Sequence, residues 1–186
     1  MTVKFPYNKK PLALPEIVSF ESVLEGFKEG IPVASNPTIL ITSSYDAFSI
    51  SPSLSYGVED SVTPTVATLE ILRLFKRLYT QQKTVGVYNL VFLFTSGGHL
   101  DYEGYRQWMI HASPELFEHI KFVLCIDELA LALWTLLSST SNDLTLHVSR
   151  GSNSDAELAR FYETFSIVAE QMHIPFKVGV SLGVSL

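Results

Sequence analysis

Apolar residues in this chain fall into short continuous runs, separated by stretches with helical spacing. Thr38-Ile39-Leu40-Ile41-Thr42-Ser43 is a β-branched apolar run, the pattern of a buried parallel strand. Tyr88 to Thr95 and Ile120 to Ile126 predict a second and a third strand, Leu144 to Val148 a fourth, and Pro175 to Val180 a last one. Thr63-Pro64 predicts a helix start, with threonine as N-cap and proline at the first helical position. That helix runs to about Tyr79, with Lys76 and Arg77 placed to suit the helix dipole. A second helix is predicted over Tyr102 to Ile110. From about Ser154 to His173, Leu158, Phe161, Phe165, Val168 and Met172 repeat at spacings of three and four, which predicts a helix with one apolar stripe.

Strands alternating with helices imply an α/β protein: a mostly parallel sheet covered on both faces, a three-layer α/β/α sandwich. Residues 1–37 hold five of the nine prolines and predict an irregular lead-in with a short helix around Phe20 to Phe27. Residues 38–186 then form one α/β domain. The Ser-, Pro- and Gly-rich stretch from Ala47 to Thr63 predicts a long loop, a length often kept for function. Leu129-Ala130-Leu131-Ala132-Leu133-Trp134 has no basic flank and predicts a buried helix or strand extension rather than a membrane-surface segment.

Charge and composition narrow the function classes. A net charge of −6, with no basic run longer than Lys9-Lys10, disfavours a phosphate-backbone partner. The single cysteine, Cys125, allows no internal disulfide, and its apolar neighbours predict a buried, unreactive thiol. The first residues lack the apolar core of a signal peptide. The longest apolar run, Leu129 to Leu137, falls far below the roughly 20 residues of a membrane span.

Three aspartates fall at or near strand ends or turns: Asp46, Asp60 and Asp127. Asp46, Gly97 and Asp127 all lie beyond the carboxyl ends of predicted strands, where α/β sheets build their sites. Each aspartate also has a plainer reading. Asp60, just before a helix, satisfies backbone N–H groups in a loop or cap. Asp127 is a turn or hydrogen-bonding residue, and Asp46 caps the loop that follows it. His99 has no second histidine at helical or strand spacing, and His111 and His119 share no obvious face across Pro114. Gly97-Gly98 reads as a tight turn needing positive φ, without the pattern of a phosphate loop.

A set of fragments in order carries a resemblance: Tyr45-Asp46-Ala47-Phe48, Leu54-Ser55-Tyr56-Gly57, Arg73-Leu74-Phe75-Lys76-Arg77-Leu78-Tyr79-Thr80, Tyr88-Asn89-Leu90, Tyr102-Glu103-Gly104, Arg106-Gln107-Trp108, Phe122 to Asp127 and Leu146-His147-Val148-Ser149. Together they resemble the nicastrin family, whose lumenal domain is related to the two-zinc aminopeptidases. The resemblance implies a zinc-aminopeptidase-like fold with a degenerate site. Ser44 would replace the first histidine ligand, while Asp46 keeps its orienting carboxylate. Asp60 would fall at or next to the bridging ligand, and Gly97 and Gly98 would replace the general base and a zinc ligand. Asp127 would retain a ligand position. Asp46, Asp60 and Asp127 are then vestigial positions, with no catalytic residue, metal or cofactor expected. A base that takes a proton from water and a full set of metal ligands are both needed for the peptidase reaction.

The resemblance further implies a non-catalytic lumenal domain of an endoplasmic reticulum membrane protein, acting as a binding or scaffold subunit. Its implied partners are a protein like the nodal modulator and a small multi-spanning membrane subunit. That complex belongs to the translocon for multi-pass membrane proteins and is linked to Nodal signalling. Candidate contact aromatics are Tyr45, Phe48, Tyr56, Tyr102, Tyr105 and Trp108, at least half of them expected in the core. Two other functions stay open: a residual zinc aminopeptidase, and a pocket for a peptide terminus or amino acid. Set against the family's full form, the chain is expected to be a fragment or shortened form, truncated at its C-terminus. An unpaired apolar sheet edge then predicts poor solubility.

Overall fold

The computed structural model describes residues 18–48, 56–57, 61–127, 144–148 and 156–180. Its strands are β1 (Phe20–Leu24), β2 (Thr38–Ser44), β3 (Asn89–Thr95), β4 (Ile120–Cys125), β5 (Leu144–Val148) and β6 (Phe176–Val180). Its helices are α1 (Thr63–Tyr79), α2 (Glu103–His111), α3 (Pro114–His119) and α4 (Ala156–Gln171). The protein is a mixed α/β structure. Three of the four strand pairings are parallel: β2 with β3, β2 with β4, and β5 with β6.

The central sheet has the order β1-β3-β2-β4. β2 and β3 pair in register along seven residues, from Thr38 opposite Asn89 to Ser44 opposite Thr95. Every residue of β3 is buried, so both faces of the sheet need a cover. On one face Ile41, Leu90, Phe92, Phe94 and Ile126 pack against Ala67, Ile71, Leu72 and Phe75 of α1. On the other, Leu40, Val91 and Leu93 pack against Tyr105 and Trp108 of α2 and Leu116 of α3. A register shift between Thr38 and Ile39 lets Ile120 pair with Thr38 and Phe122 with Ile39, with Lys121 as the extra residue. That bulge turns Ile120 toward α2 and α3 while Phe122 and Leu124 face the α1 side.

A row of rings joins the C-terminal unit to the sheet. Phe122 of β4 meets Phe161 of α4 at 5.2 Å, Phe161 meets Phe165 at 5.8 Å, and Phe165 meets Phe176 of β6 at 5.0 Å. The apolar stripe predicted for this helix is therefore its packing face, at least through Phe161 and Phe165. β5 and β6 form their own two-stranded sheet.

Two local expectations are corrected. Phe20 to Phe27 contains no helix: Phe20–Leu24 is the antiparallel edge strand β1, with Phe20 opposite Phe94 and Leu24 opposite Leu90. Without it, the buried strand β3 would present an unpaired edge, and that long-range pairing overrides any local helical tendency. Thr63 is also not an N-cap. Val62 before it is already in the right-handed helical region and makes no side-chain cap, and the N–H groups of Ser61 and Val62 both bond to the Gly57 carbonyl. The Leu129 to Trp134 run lies outside the described residues.

Asn89 fixes the segment below the sheet. Its Oδ1 accepts from the Gly26 N–H at 2.8 Å and its Nδ2 donates to the Val33 carbonyl at 2.8 Å. Asn36 Nδ2 adds a bond to the Gly26 carbonyl at 2.9 Å. Gly26 admits no side chain there, since a Cβ would stand 2.5 Å from the Tyr88 carbonyl oxygen. Asn89→Ala strands two enclosed polar groups, with an expected loss of about 2–4 kcal/mol in the denaturant midpoint analysis. A loss within about 0.5 kcal/mol, the range of an ordinary surface change, would show that water replaces both bonds.

Candidate functional site

β2 and β3 end side by side, and the chain after each carries the candidate residues. Beyond β2, Asp46 points its carboxylate across to the turn after β3. Asp46 Oδ2 accepts from the Gly97 N–H at 2.7 Å and Oδ1 from the Gly98 N–H at 3.4 Å. The Ser44 hydroxyl donates to Oδ1 at 3.0 Å. Two consecutive N–H groups turned to one carboxylate form an anion-holding nest, and Asp46 is its occupant. The plainer reading of Asp46 understates it, because the carboxylate braces a neighbouring loop as well as its own.

Tight backbone packing shapes the rest of this turn. Gly97 has φ +75°, a left-handed conformation suited to glycine. Asp101 at φ 56° and Tyr102 at φ 54° are left-handed without being glycine. α2 then starts directly on the turn: the Gly104 N–H bonds the Ser96 carbonyl at 3.1 Å, and a Cβ on Gly104 would stand 2.1 Å from that oxygen. A Cβ on Gly98 would lie 2.4 Å from Ser44 Oγ. Gly98 therefore faces Ser44 where a larger residue would need room.

Asp127 follows just after β4. It lines a cleft of about 300 Å³ between the sheet and the start of α2. Thr42, Ser44, Thr95, Tyr102, Tyr105, Val123, Cys125 and Ile126 form most of its walls, and Asp46 is not among them. Ser44 connects the two, since it lines this cleft and donates to Asp46. Asp60 lies outside the described residues. His99 is exposed, and His111 Nδ1–H bonds the Gln107 carbonyl of its own helix at 2.7 Å. Among the described residues, no three His, Cys, Asp or Glu side chains converge as a metal-holding group.

Cys125 is exposed along this cleft, which corrects the expectation of a buried thiol. Its pairing opposite Thr42 turns it toward the α2 side, where the edge strand leaves the sheet face open. The thiol is still pushed above its usual pKa, first by desolvation among the cleft walls and then by the Asp127 carboxylate. Burial likewise raises the Tyr105 hydroxyl, with Cys125 adding to it. Of the six candidate aromatics, Phe48, Tyr56 and Tyr102 are exposed. Tyr45 donates to the Val18 carbonyl at 2.7 Å, Tyr105 stacks on Trp108, and Trp108 Nε1 donates to Glu21 at 2.7 Å.

With this arrangement described, comparison with known proteins becomes informative. Residues 37–170 match the family model of the nicastrin large lobe. The chain belongs to the nicastrin family. It is 36% identical over 132 residues to the zebrafish protein "BOS complex subunit ncln", covering 68% of this chain and 22% of that one. The human "BOS complex subunit NCLN" is 35% identical over 132 residues, with the same two coverages, 68% and 22%. "Nicalin" of Caenorhabditis elegans is 36% identical over 73 residues, covering 39% of this chain and 13% of its own. The chain thus spans about a fifth (22%) of the length of the vertebrate relatives.

Within this family member, Asp46→Ala leaves two N–H groups and a hydroxyl without their charged acceptor, and about 1.5–3 kcal/mol of stability is expected to go with it. Chemical denaturation measures the loss, and an unchanged midpoint would remove the bracing role. For Cys125, a raised pKa means less thiolate at neutral pH, so its alkylation is expected to rise only at higher pH than that of a free thiol. Asp127→Asn removes the like charge and is expected to shift that alkylation profile to lower pH; a profile that stays in place contradicts the assignment.

Proposed function

We propose that this domain acts by binding, as the non-catalytic lumenal part of a nicalin-like subunit in a membrane-protein complex of the endoplasmic reticulum. The observation that carries the reading is the engagement of Asp46 by the Gly97 and Gly98 N–H groups. In a zinc-aminopeptidase-like α/β/α sandwich, the Gly97 and Gly98 positions would supply the base and a zinc ligand, and Asp46 would orient the histidine that Ser44 replaces. Here the carboxylate is turned into backbone hydrogen bonds, and the two glycines offer no side-chain donor. Ser44 spends its hydroxyl proton on the same carboxylate. Among the described residues, the side chains at this site do not fit a two-zinc centre, which needs several Asp, Glu or His ligands around open positions.

The zebrafish and human relatives carry the name of a BOS complex subunit, and that supports assembly rather than turnover as the role. The partners follow from the family resemblance: a nodal-modulator-like protein and a small multi-spanning subunit, on the lumenal side of the translocon for multi-pass membrane proteins. Among the described residues no helix is long and apolar enough to cross a membrane, so membrane attachment would come through those partners or through other segments.

A second reading is favoured by the cleft. Its size, about 300 Å³, and its place beyond the strands suit one small group such as an amino-acid side chain. It does not conflict with a scaffold role, because a partner's side chain can be the occupant.

The test pairs two measurements on the purified chain and on the chain expressed in cells. Zinc content, zinc-dependent melting and hydrolysis of an aminoacyl reporter are expected to stay at background, while affinity capture is expected to recover the two named partners. A metal that binds only the folded state raises its apparent stability, so specific zinc binding would be visible. Stoichiometric zinc with hydrolysis lost in Asp46→Ala and Asp127→Ala would reinstate the peptidase.

A further inference from the structure

Helix α1 covers the sheet with one face and leaves an unusual second face outward. Pro64 and Thr68 are buried, and Ala67, Ile71, Leu72 and Phe75 pack on the core. Away from them, Val62, Val66, Leu69 and Arg73 follow one another at spacings of four, three and four, so they share a single stripe on the opposite side. Val66 is 59% and Leu69 50% exposed, and Val62 is exposed with them. Single exposed apolar residues are ordinary on a protein surface. A helical row of them is not, since an outward helix face is normally charged or polar.

Charge on this face runs against the rest of the chain. Arg73, Lys76 and Arg77 against Glu70 give +2 (three minus one) on one helix of a chain whose net charge is −6. Arg77 and Lys76 suit the negative end of the helix dipole, which accounts for their presence but not for the apolar row beside them. Arg73 is held by a two-pronged bond to Glu70, which fixes a planar guanidinium beside Leu69.

We propose that the outward face of α1 docks an acidic amphipathic helix from a protein partner. Such a helix sets apolar residues on Val62, Val66 and Leu69 and carboxylates opposite Arg73, Lys76 and Arg77, the recurring geometry of helix recognition. Complementary charge at the rim would set orientation and association rate, with the apolar row holding the contact. An anionic membrane is the weaker match: basic lipid-binding patches carry about four to eight Lys or Arg. This face has three, one already tied to Glu70. The proposal rests on the binding role argued above and names a surface for it.

The test is photo-cross-linking in microsomes, with photo-leucine placed at Leu69 in the full chain and the cross-linked peptide identified by mass spectrometry. A peptide from a protein partner, helical in pattern and with Asp and Glu in excess of Lys and Arg, is the expected product. The double variant Lys76→Glu/Arg77→Glu is expected to lower its yield about tenfold, as an opposed rim charge does, while melting falls only slightly through the helix dipole, because both residues are exposed. Leu69→Ser, tested by capture of the named partners, is expected to weaken recovery. Cross-links to lipid alone, a peptide without acidic excess, or a yield indifferent to charge reversal would each overturn the docking face. If the named partners are still captured in that case, the binding role survives the loss of this surface. If capture fails with the unmodified chain as well, the binding role falls with it.

Discussion

Everything in this domain depends on the parallel pairing of β2 with β3. Seven residues of each strand lie in register, and β3 is buried throughout. A strand in that position needs neighbours at both edges and helices on both faces, or its backbone groups and apolar side chains stay in contact with water. β1 covers the outer edge of β3, β4 the outer edge of β2, α1 one face, and α2 with α3 the other. The loops at the carboxyl ends are held by the same pair, because Ser44 and Thr95 are its last residues. The Asp46 bridge to Gly97 and Gly98 extends the strand pairing by one further tie, made through a side chain after the ladder ends.

How much of this could be read beforehand varied with the range of the interaction. β2, β3 and β4 announced themselves through β-branched apolar runs, and α1 and α4 through spacing, because those signals are local. β1 was misread because Phe20-Glu21-Ser22-Val23-Leu24 is short and its state is decided by β3, which lies far along the chain. The bulge at Lys121 has no mark in composition, yet it decides which helix layer Ile120 and Phe122 join. The start of α1 differs from the expected one by a single residue, with Val62 rather than Thr63 at the cap position.

The candidate site was legible in its residues and not in its geometry. Asp46, Gly97 and Asp127 could be placed at strand ends from the pattern alone. Nothing in the spacing said that Asp46 and the glycines would bond each other, or that Asp127 would line a cleft with Ser44. A Gly-Gly pair after a buried strand, with a short acid after the neighbouring strand, is the signal that would have suggested the brace. The Cys125 thiol shows the same limit: apolar neighbours in sequence predicted burial, but along β4 exposed residues alternate with half-buried ones, and Cys125 falls on the exposed set.

The row of rings from Phe122 to Phe176 carries a consequence for how the molecule comes apart. Among the described residues, β5, α4 and β6 share no backbone ladder with the four-stranded sheet, and the tilted pair Phe122–Phe161 is a ring contact between them. A ring contact of this kind is worth only about 0.5–1.5 kcal/mol beyond its area. The C-terminal β-α-β unit is therefore expected to open before the central strands release their amides. Slow exchange would mark β2 and β3 as the last refuge of the fold, and the helix that ties the two sheets as its hinge.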